Sequence, residues 1–317
     1  MTDTQNEVFK SPVNKIRLFE HGAPGSQNLK LTRKYYTEDM PDGRVKHIVQ
    51  NITDPDIVPY IPDGIGNSTD RQRIPAVLII PGGAFRRLVY NFEGEDVAKW
   101  LNSMGIAAFV LECRLPSDEH DNAEDVPLID AMRAMRVIRG RAQEFGIDEA
   151  KIGVMGFSAG GFMAALLSTA YESDVYADYK YKDEYDKLSA RPDFAVCSYP
   201  VISIDDCIEA GKRYMSEEQV LKRISDSKAK ILHKYNPDKL VRPDMPPVFI
   251  CETDDDRTTL SENSVGFYMA ARKAGVSAEL HIFRTGGHGY GCGDDFAQTG
   301  EWKVLFTKWI KSIGIIS

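Results

Sequence analysis

Between Lys151 and Leu167 the chain passes from an apolar strand into a helix of small residues. Gly156-Phe157-Ser158-Ala159-Gly160 is all it has to turn in. A turn that sharp lifts the serine hydroxyl above the end of the strand. Glycine is needed on both flanks, because a side chain there would strike the neighbouring strand or helix. The helix N-terminus beneath also favours negative charge. A plain Gly-Ser turn would read the same in isolation, so Ser158 as nucleophile depends on what the rest of the chain supplies.

The rest supplies a sheet. Ala76–Ile80 is an unbroken apolar run ended by Pro81-Gly82-Gly83, which fits a strand covered on both faces. Ile106–Leu111, Phe194–Ser198, Pro247–Cys251 and Ala278–Phe283 read as further strands. Asp96–Met104, the stripe Leu128, Met132, Met135 and Ile138, Glu262–Lys273 and Trp302–Ile313 read as helices between them. This alternation predicts an α/β fold: a mostly parallel central sheet, right-handed crossovers, flanking helices, and chemistry at the carboxyl ends of the strands. With 317 residues, 43% of them hydrophobic, the whole of 1–317 is expected to be one domain.

Three stretches depart from the rhythm. Residues 1–70 read as an extended lead-in, with strand character at Lys46–Ile52 and turn chemistry at Pro59-Tyr60-Ile61-Pro62-Asp63-Gly64. Tyr171–Tyr185 holds five tyrosines among Asp and Lys residues, either a solvated acidic loop or one whose rings help hold a substrate. Residues 202–241 are charged and helix-forming, which suggests a helical cap inserted over the sheet.

The charge balance limits the partners. Asp plus Glu is 47 against 39 Lys plus Arg, a net charge of −8, which argues against a nucleic-acid ligand or an anionic membrane surface. No apolar run is long enough for a membrane span, and the polar start MTDTQNEVFK lacks a signal-peptide core, so a cytoplasmic chain is expected. In that compartment the sequon Asn67-Ser68-Thr69 stays silent and the five scattered cysteines stay reduced. No HExxH, zinc-spaced Cys/His cluster, P-loop or GxGxxG occurs, so neither metal nor cofactor is expected. Asp254-Asp255-Asp256 could attract a cation but has no further ligands around it. A homo-oligomer is compatible with the sequence and is not specified by it.

A serine nucleophile needs a base. Among six histidines, His21 and His47 precede the regular fold, His281 lies inside a strand, and His120 sits in the acidic loop Asp118-Glu119-His120-Asp121, where solvation is expected. His233, in the insertion, is a reserve candidate. His288 follows the late strand inside Gly286-Gly287-His288-Gly289, a loop able to turn tightly over the sheet edge. The acid that orients it should follow Pro247–Cys251, where Asp254, Asp255 and Asp256 compete, two of them as ordinary turn or capping residues. Ala159 N–H, and N–H groups of the loop Pro81-Gly82-Gly83-Ala84-Phe85, are the candidate oxyanion donors.

With these residues in place, the chain resembles the α/β-hydrolase superfamily, and within it the acetyl-xylan-esterase-like and other carbohydrate acyl esterases. The resemblance runs from about Val45 to the C-terminus. It rests on Asn51-Ile52-Thr53-Asp54-Pro55, Pro59-Tyr60-Ile61-Pro62, Pro81-Gly82-Gly83-Ala84-Phe85, Glu93-Gly94-Glu95-Asp96-Val97-Ala98, Leu111-Glu112-Cys113-Arg114-Leu115, Arg191-Pro192-Asp193-Phe194 and Tyr199-Pro200-Val201-Ile202. Ala84 stands where a third glycine is usual, and Cys113 where tyrosine is usual. The group's acid lies in a D-x-x-V-type stretch before an Asn-Ser pair. Asp256-Arg257-Thr258-Thr259 and Asn263-Ser264 match it, which implies Asp256, while Thr259 departs from the pattern and keeps Asp255 in competition. The resemblance implies a metal-independent serine esterase acting on short acyl esters of a sugar or similar alcohol, with Ser158, His288 and Asp256 as triad and Gly83, Ala84 and Ala159 as oxyanion donors. The alternatives are a serine peptidase of the same fold, for which the lead-in is too short to form the usual extra domain, and a binding protein on a hydrolase scaffold.

Overall fold

The structure is a computed structural model and describes residues 9–65, 73–213, 215–216, 218–219, 230–293 and 297–317. Its strands are β1 (Ile16–Arg17), β2 (Lys34–Asp39), β3 (Val45–Gln50), β4 (Asp56–Tyr60), β5 (Ile74–Ile80), β6 (Leu88–Val89), β7 (Ala107–Glu112), β8 (Ile147–Phe157), β9 (Ala195–Ser198), β10 (Val248–Thr253) and β11 (Ala278–Phe283). Eight form one sheet in the order β1-β4-β7-β5-β8-β9-β10-β11, and β2-β3-β6 form a small antiparallel sheet. From β7 onward every pairing in the large sheet is parallel, while β1 and β4 run antiparallel at one edge. The inner parallel strands β5, β7, β9 and β10 are buried on both faces, as their apolar runs require, while the edge strand β11 is half-buried. The helices α1 (Asp96–Ser103), α2 (Val126–Gly140), α3 (Ala142–Phe145) and α4 (Ala159–Ala170) flank the first half. Then come α5 (Ile204–Lys212), α6 (Lys230–Lys234), α7 (Ser261–Lys273), α8 (Ala297–Gly300) and α9 (Trp302–Ser312).

The lead-in is more than an extended tail. Lys15 and Arg33 reach the buried Glu112 at the end of β7, at 2.6 and 2.7 Å, and Arg33 also pairs with Asp56. The expected turn starts later than its proline suggests. Pro59 and Tyr60 complete β4, and Pro59 is tolerated because β1 pairs only with Asp56 and Ile57, leaving that edge open.

Two other expectations are corrected. The segment 171–185 is solvated only in part: Tyr181 is exposed, while other tyrosines are ordered against the body of the fold. Tyr171 and Tyr176 are buried, and Tyr176 bonds Asp186 and Arg136. Asp183 and Asp186 grip Arg133 of α2, and Tyr179 donates to Gly22 O. His120 is also buried, at 5% exposure, with Nδ1 3.1 Å from Ser26 Oγ. Burial, then the neighbouring Arg114 charge, pushes its pKa down to about 4. His120 therefore stays neutral in the fold where an unfolded chain would take up a proton. Stability from this group is present above the free-histidine value and is lost as pH falls through the window from about 6.5 to 4. His120→Gln removes that dependence. Wild type should lose about 2 kcal/mol between pH 7 and pH 5 relative to the variant, read from urea unfolding at both pH values. Equal slopes would place His120 in a solvated site after all.

Candidate active site

Five adjacent strands deliver the site from their carboxyl ends. The loop of Gly83 and Ala84 follows β5, Ser158 follows β8, Tyr199 follows β9, Asp256 follows β10 and His288 follows β11. Neighbouring strands lie roughly 4.8 Å apart, so groups more than a hundred residues apart in sequence meet above one sheet edge.

The nucleophile turn is sterically obligatory. A Cβ on Gly156 would sit 1.9 Å from Gly160 O, and one on Gly160 would sit 1.9 Å from Ile80 O. Ser158 takes φ 54°, ψ −118°, a conformation costing on the order of 1–3 kcal/mol that only a tightly determined turn sustains. It aims Oγ at His288, whose Nε2 lies 2.9 Å away.

On the other side of that imidazole, Nδ1 lies 2.6 Å from Asp256 Oδ2. Asp256 is 1% exposed and fully engaged. Its Oδ1 accepts from Thr258 and Thr259 N–H, at 2.6 and 3.0 Å, and Oδ2 accepts from Thr259 Oγ1 at 3.0 Å. Burial alone would raise the carboxyl, but the hydrogen bond and charge of His288 and the two threonine N–H groups outweigh it and hold it below the usual range. Asp256 therefore remains charged beside the imidazole. Beneath it Glu252 is pushed well above its usual value, by burial and then by the Asp256 charge.

The other two aspartates are exposed and turned elsewhere. Asp255 Oδ1 accepts from Gly286 and Gly287 N–H, at 2.9 and 2.8 Å. It braces the loop that carries His288 without touching the ring. Thr253 Oγ1 adds a bond to Gly287 O at 2.8 Å. The reserve histidine, His233, is exposed on α6 and does not line the cleft. Among the described residues no group of three or more His, Cys, Asp or Glu is arranged to hold a metal ion.

Ser158 and His288 open into a cleft of about 480 Å³, with Gly83 and Ala84 on its wall. Ala84 has φ 57°, the left-handed region glycine enters freely, which explains why a third glycine suits this place. Ala159 is buried at the first position of α4, where an N–H has no acceptor within its own helix.

Sequence reasoning assigned no role to two buried residues, Glu93, which lines the cleft, and Tyr199 behind it. Glu93 accepts from Gly82 N–H at 2.8 Å and from Tyr199 Oη at 2.9 Å. Burial raises its carboxyl, only partly offset by the nearby His288, Tyr199 and Gly82. Tyr199 in turn accepts from Gly291 N–H at 3.1 Å, and its backbone oxygen lies 3.1 Å from Thr259 Oγ1, whose hydrogen goes to Asp256. Its ring meets the His288 ring edge-on at 5.0 Å. One buried tyrosine thus ties together the loops after β5, β10 and β11. Glu93 and Tyr199 each open a block that carries the resemblance, at Glu93-Gly94-Glu95 and Tyr199-Pro200-Val201, and Tyr199 also directly follows a parallel strand, but neither signal gave a role.

No described residue of 202–241 lines the cleft. Instead Asn263 Oδ1 of α7 accepts from Ile202 and Ser203 N–H, and Tyr235 and Lys234 bond Asp125. The expected cap over the site is not seen in these residues; residues 214, 217 and 220–229 lie outside the described residues. The tyrosine segment does not line the cleft either and borders a separate hollow beside Pro24 and Gly25.

Comparison with known proteins agrees with this architecture. The model of the BD-FAE family matches residues 65–270. An acetylxylan esterase of Xylanibacter ruminicola is 31% identical over 240 residues, 75% of this chain and 45% of that protein. The chain spans less than half the length of the curated relatives it matches. Among solved structures, an acetyl ester-xyloside bifunctional hydrolase from Caldicellulosiruptor lactoaceticus is 35% identical with TM-score 0.70, covering 96% of this chain and 97% of that one. A thermophilic esterase from Thermogutta terrifontis, 23% identical with TM-score 0.64 over 93% and 96% of the two chains, shares the fold.

Proposed function

Because this chain belongs to the BD-FAE family, whose fold is of the α/β-hydrolase type, we propose that it is a serine carboxylesterase that removes short acyl groups from sugar esters. The observation that carries the proposal is the continuous array from Asp256 through His288 to Ser158, at 2.6 and 2.9 Å, opening into a cleft. Ser158 Oγ attacks the ester carbonyl as its proton passes to His288 Nε2. Asp256 holds the imidazole orientation and stabilises the imidazolium that forms. The carbonyl oxygen becomes an oxyanion received by the N–H groups of Gly83, Ala84 and Ala159. Its collapse breaks the bond to the alcohol, which leaves with the proton from His288. Water then attacks the acyl-serine, again giving its proton to His288, and the carboxylic acid departs as Ser158 recovers its hydrogen. Acetyl as the acyl group and a sugar as the alcohol are supported by the likeness to an acetylxylan esterase and an acetyl ester-xyloside hydrolase.

A panel of 4-nitrophenyl esters from acetyl to decanoyl, with acetylated xylo-oligosaccharides and peptide anilides, tests this. The highest kcat/KM should fall on acetyl, with release of acetate from the sugars and no cleavage of the anilides. Anilide cleavage without ester hydrolysis would make the chain a peptidase.

A further inference from the structure

Four cationic side chains line the cleft of a chain whose net charge is −8. Arg44, Lys46, Arg86 and Arg87 all line it, beside Ser158 and His288. They come from two neighbouring pieces of structure: the turn into β3 and β3 itself, and the loop leading into β6. Two exposed or half-buried carboxylates set behind them offset part of this charge. Asp42 pairs with Arg44 at 2.8 Å, and Glu38 pairs with Arg87 at 2.5 Å. Neither carboxylate lines the cleft, and among the described residues the one acidic side chain that does is Glu93. That carboxyl is spent on Gly82 and Tyr199, and burial holds it toward its neutral form. The charged side chains that line the cleft are therefore mainly cationic.

Surface guanidinium and ammonium groups usually need no special explanation. These four come from adjoining segments, the β3 strand with its preceding turn and the loop into β6, and line the cleft that holds Ser158, on a molecule with an excess of acid. Such a lining raises the local concentration of anions and repels cations. An acetyl group is too small to span the cleft and carries no charge, so an ester with a short acyl part can address this lining only through its alcohol. Arginine forks match a carboxylate in particular.

Resting on the esterase reading above, we propose that the preferred substrate carries its negative charge on the alcohol half of the ester: an acylated sugar bearing a carboxylate, of the uronic acid class, held by Lys46 and the arginines that line the cleft.

A matched pair of substrates tests this: acetylated methyl glucuronoside and acetylated methyl glucoside, which differ in a carboxylate against a hydroxymethyl group. The purified protein is assayed on both, and separately on 4-nitrophenyl acetate, at low and high salt. At low ionic strength kcat/KM should favour the acidic sugar by about tenfold, as the summed attraction of several unit charges at roughly 6–10 Å across water implies. That preference should fall to within about twofold in 0.5 M salt, where the screening length is a few ångströms. Lys46→Glu combined with Arg86→Glu should invert the ratio. Equal rates on the two sugars, including no turnover of either, with 4-nitrophenyl acetate still hydrolysed, overturn this inference and leave the esterase reading standing. A preference unmoved by salt and by the double substitution overturns it as well. Absence of turnover on all three substrates overturns the esterase reading itself.

Discussion

Ser158→Ala should abolish ester hydrolysis while the protein stays folded. Removing the nucleophile from a serine triad can cost on the order of 10⁶ in kcat, so the loss is far beyond assay scatter. What survives is the small rate that oxyanion donors and binding give without a nucleophile, roughly 10³–10⁴ over water in a well-studied triad. The fold should tolerate the change because the turn is imposed by Gly156 and Gly160, not by the serine hydroxyl. Alanine meets the same φ of 54° at similar cost, and the one side-chain contact removed is the bond to His288. The measurement is a burst and steady-state assay on 4-nitrophenyl acetate, with thermal unfolding as the control for folding. Turnover within tenfold of wild type in a well-folded Ser158→Ala preparation would falsify the serine mechanism and leave the array as a structural hydrogen-bond chain.

How far this site can be read from the chain alone depends on how local its cause is. The serine turn is legible because the clash that requires Gly156 lies within the turn itself, against Gly160 O, although the one that requires Gly160 comes from Ile80 on the neighbouring strand. The inner parallel strands are legible because burial on both faces leaves an apolar run. Glu93 and Tyr199 are illegible for the opposite reason. They are 106 residues apart, and their link exists only after β9 and the loop past β5 are brought to one sheet edge. His120 misleads because its neighbours Asp118, Glu119 and Asp121 suggest water, whereas the partner that keeps it buried is Ser26, 94 positions earlier. The tyrosines of 171–185 mislead likewise, since the arginines that order the segment lie on α2. Thr259 is the subtlest case. As a departure from a valine pattern it weakens the choice of Asp256, yet in space its hydroxyl and N–H both bond that carboxylate.

Asp256→Asn should lower kcat by several decades, about 10⁴ in a well-studied triad, because the amide can present its NH₂ to Nδ1 and hold the imidazole in the wrong tautomer. The loss should appear in kcat far more than in KM, since Asp256 is buried behind His288 and does not line the cleft. Its neighbours separate the possibilities. Asp254 is exposed, and Asp254→Asn should cost less than about threefold, as a solvated turn carboxylate contributes local bonds only. Asp255→Asn is the more informative control. The amide oxygen can still accept from Gly286 and Gly287 N–H, so this variant should also stay near wild type. Asp255→Ala removes both bonds and loosens the loop that carries His288. It should lower activity roughly fivefold, the scale of about 1 kcal/mol for hydrogen bonds at an exposed site. The expected order is therefore Asp256→Asn far below Asp255→Ala, with Asp255→Asn and Asp254→Asn close to wild type, measured as kcat and kcat/KM on one acetyl ester. If Asp255→Asn were the crippled variant, the acid would be Asp255 and the bond from Asp256 to His288 would be incidental. If none of the three mattered, the imidazole would be oriented from elsewhere. Glu252, the buried carboxyl beneath Asp256, would then be the next residue to change.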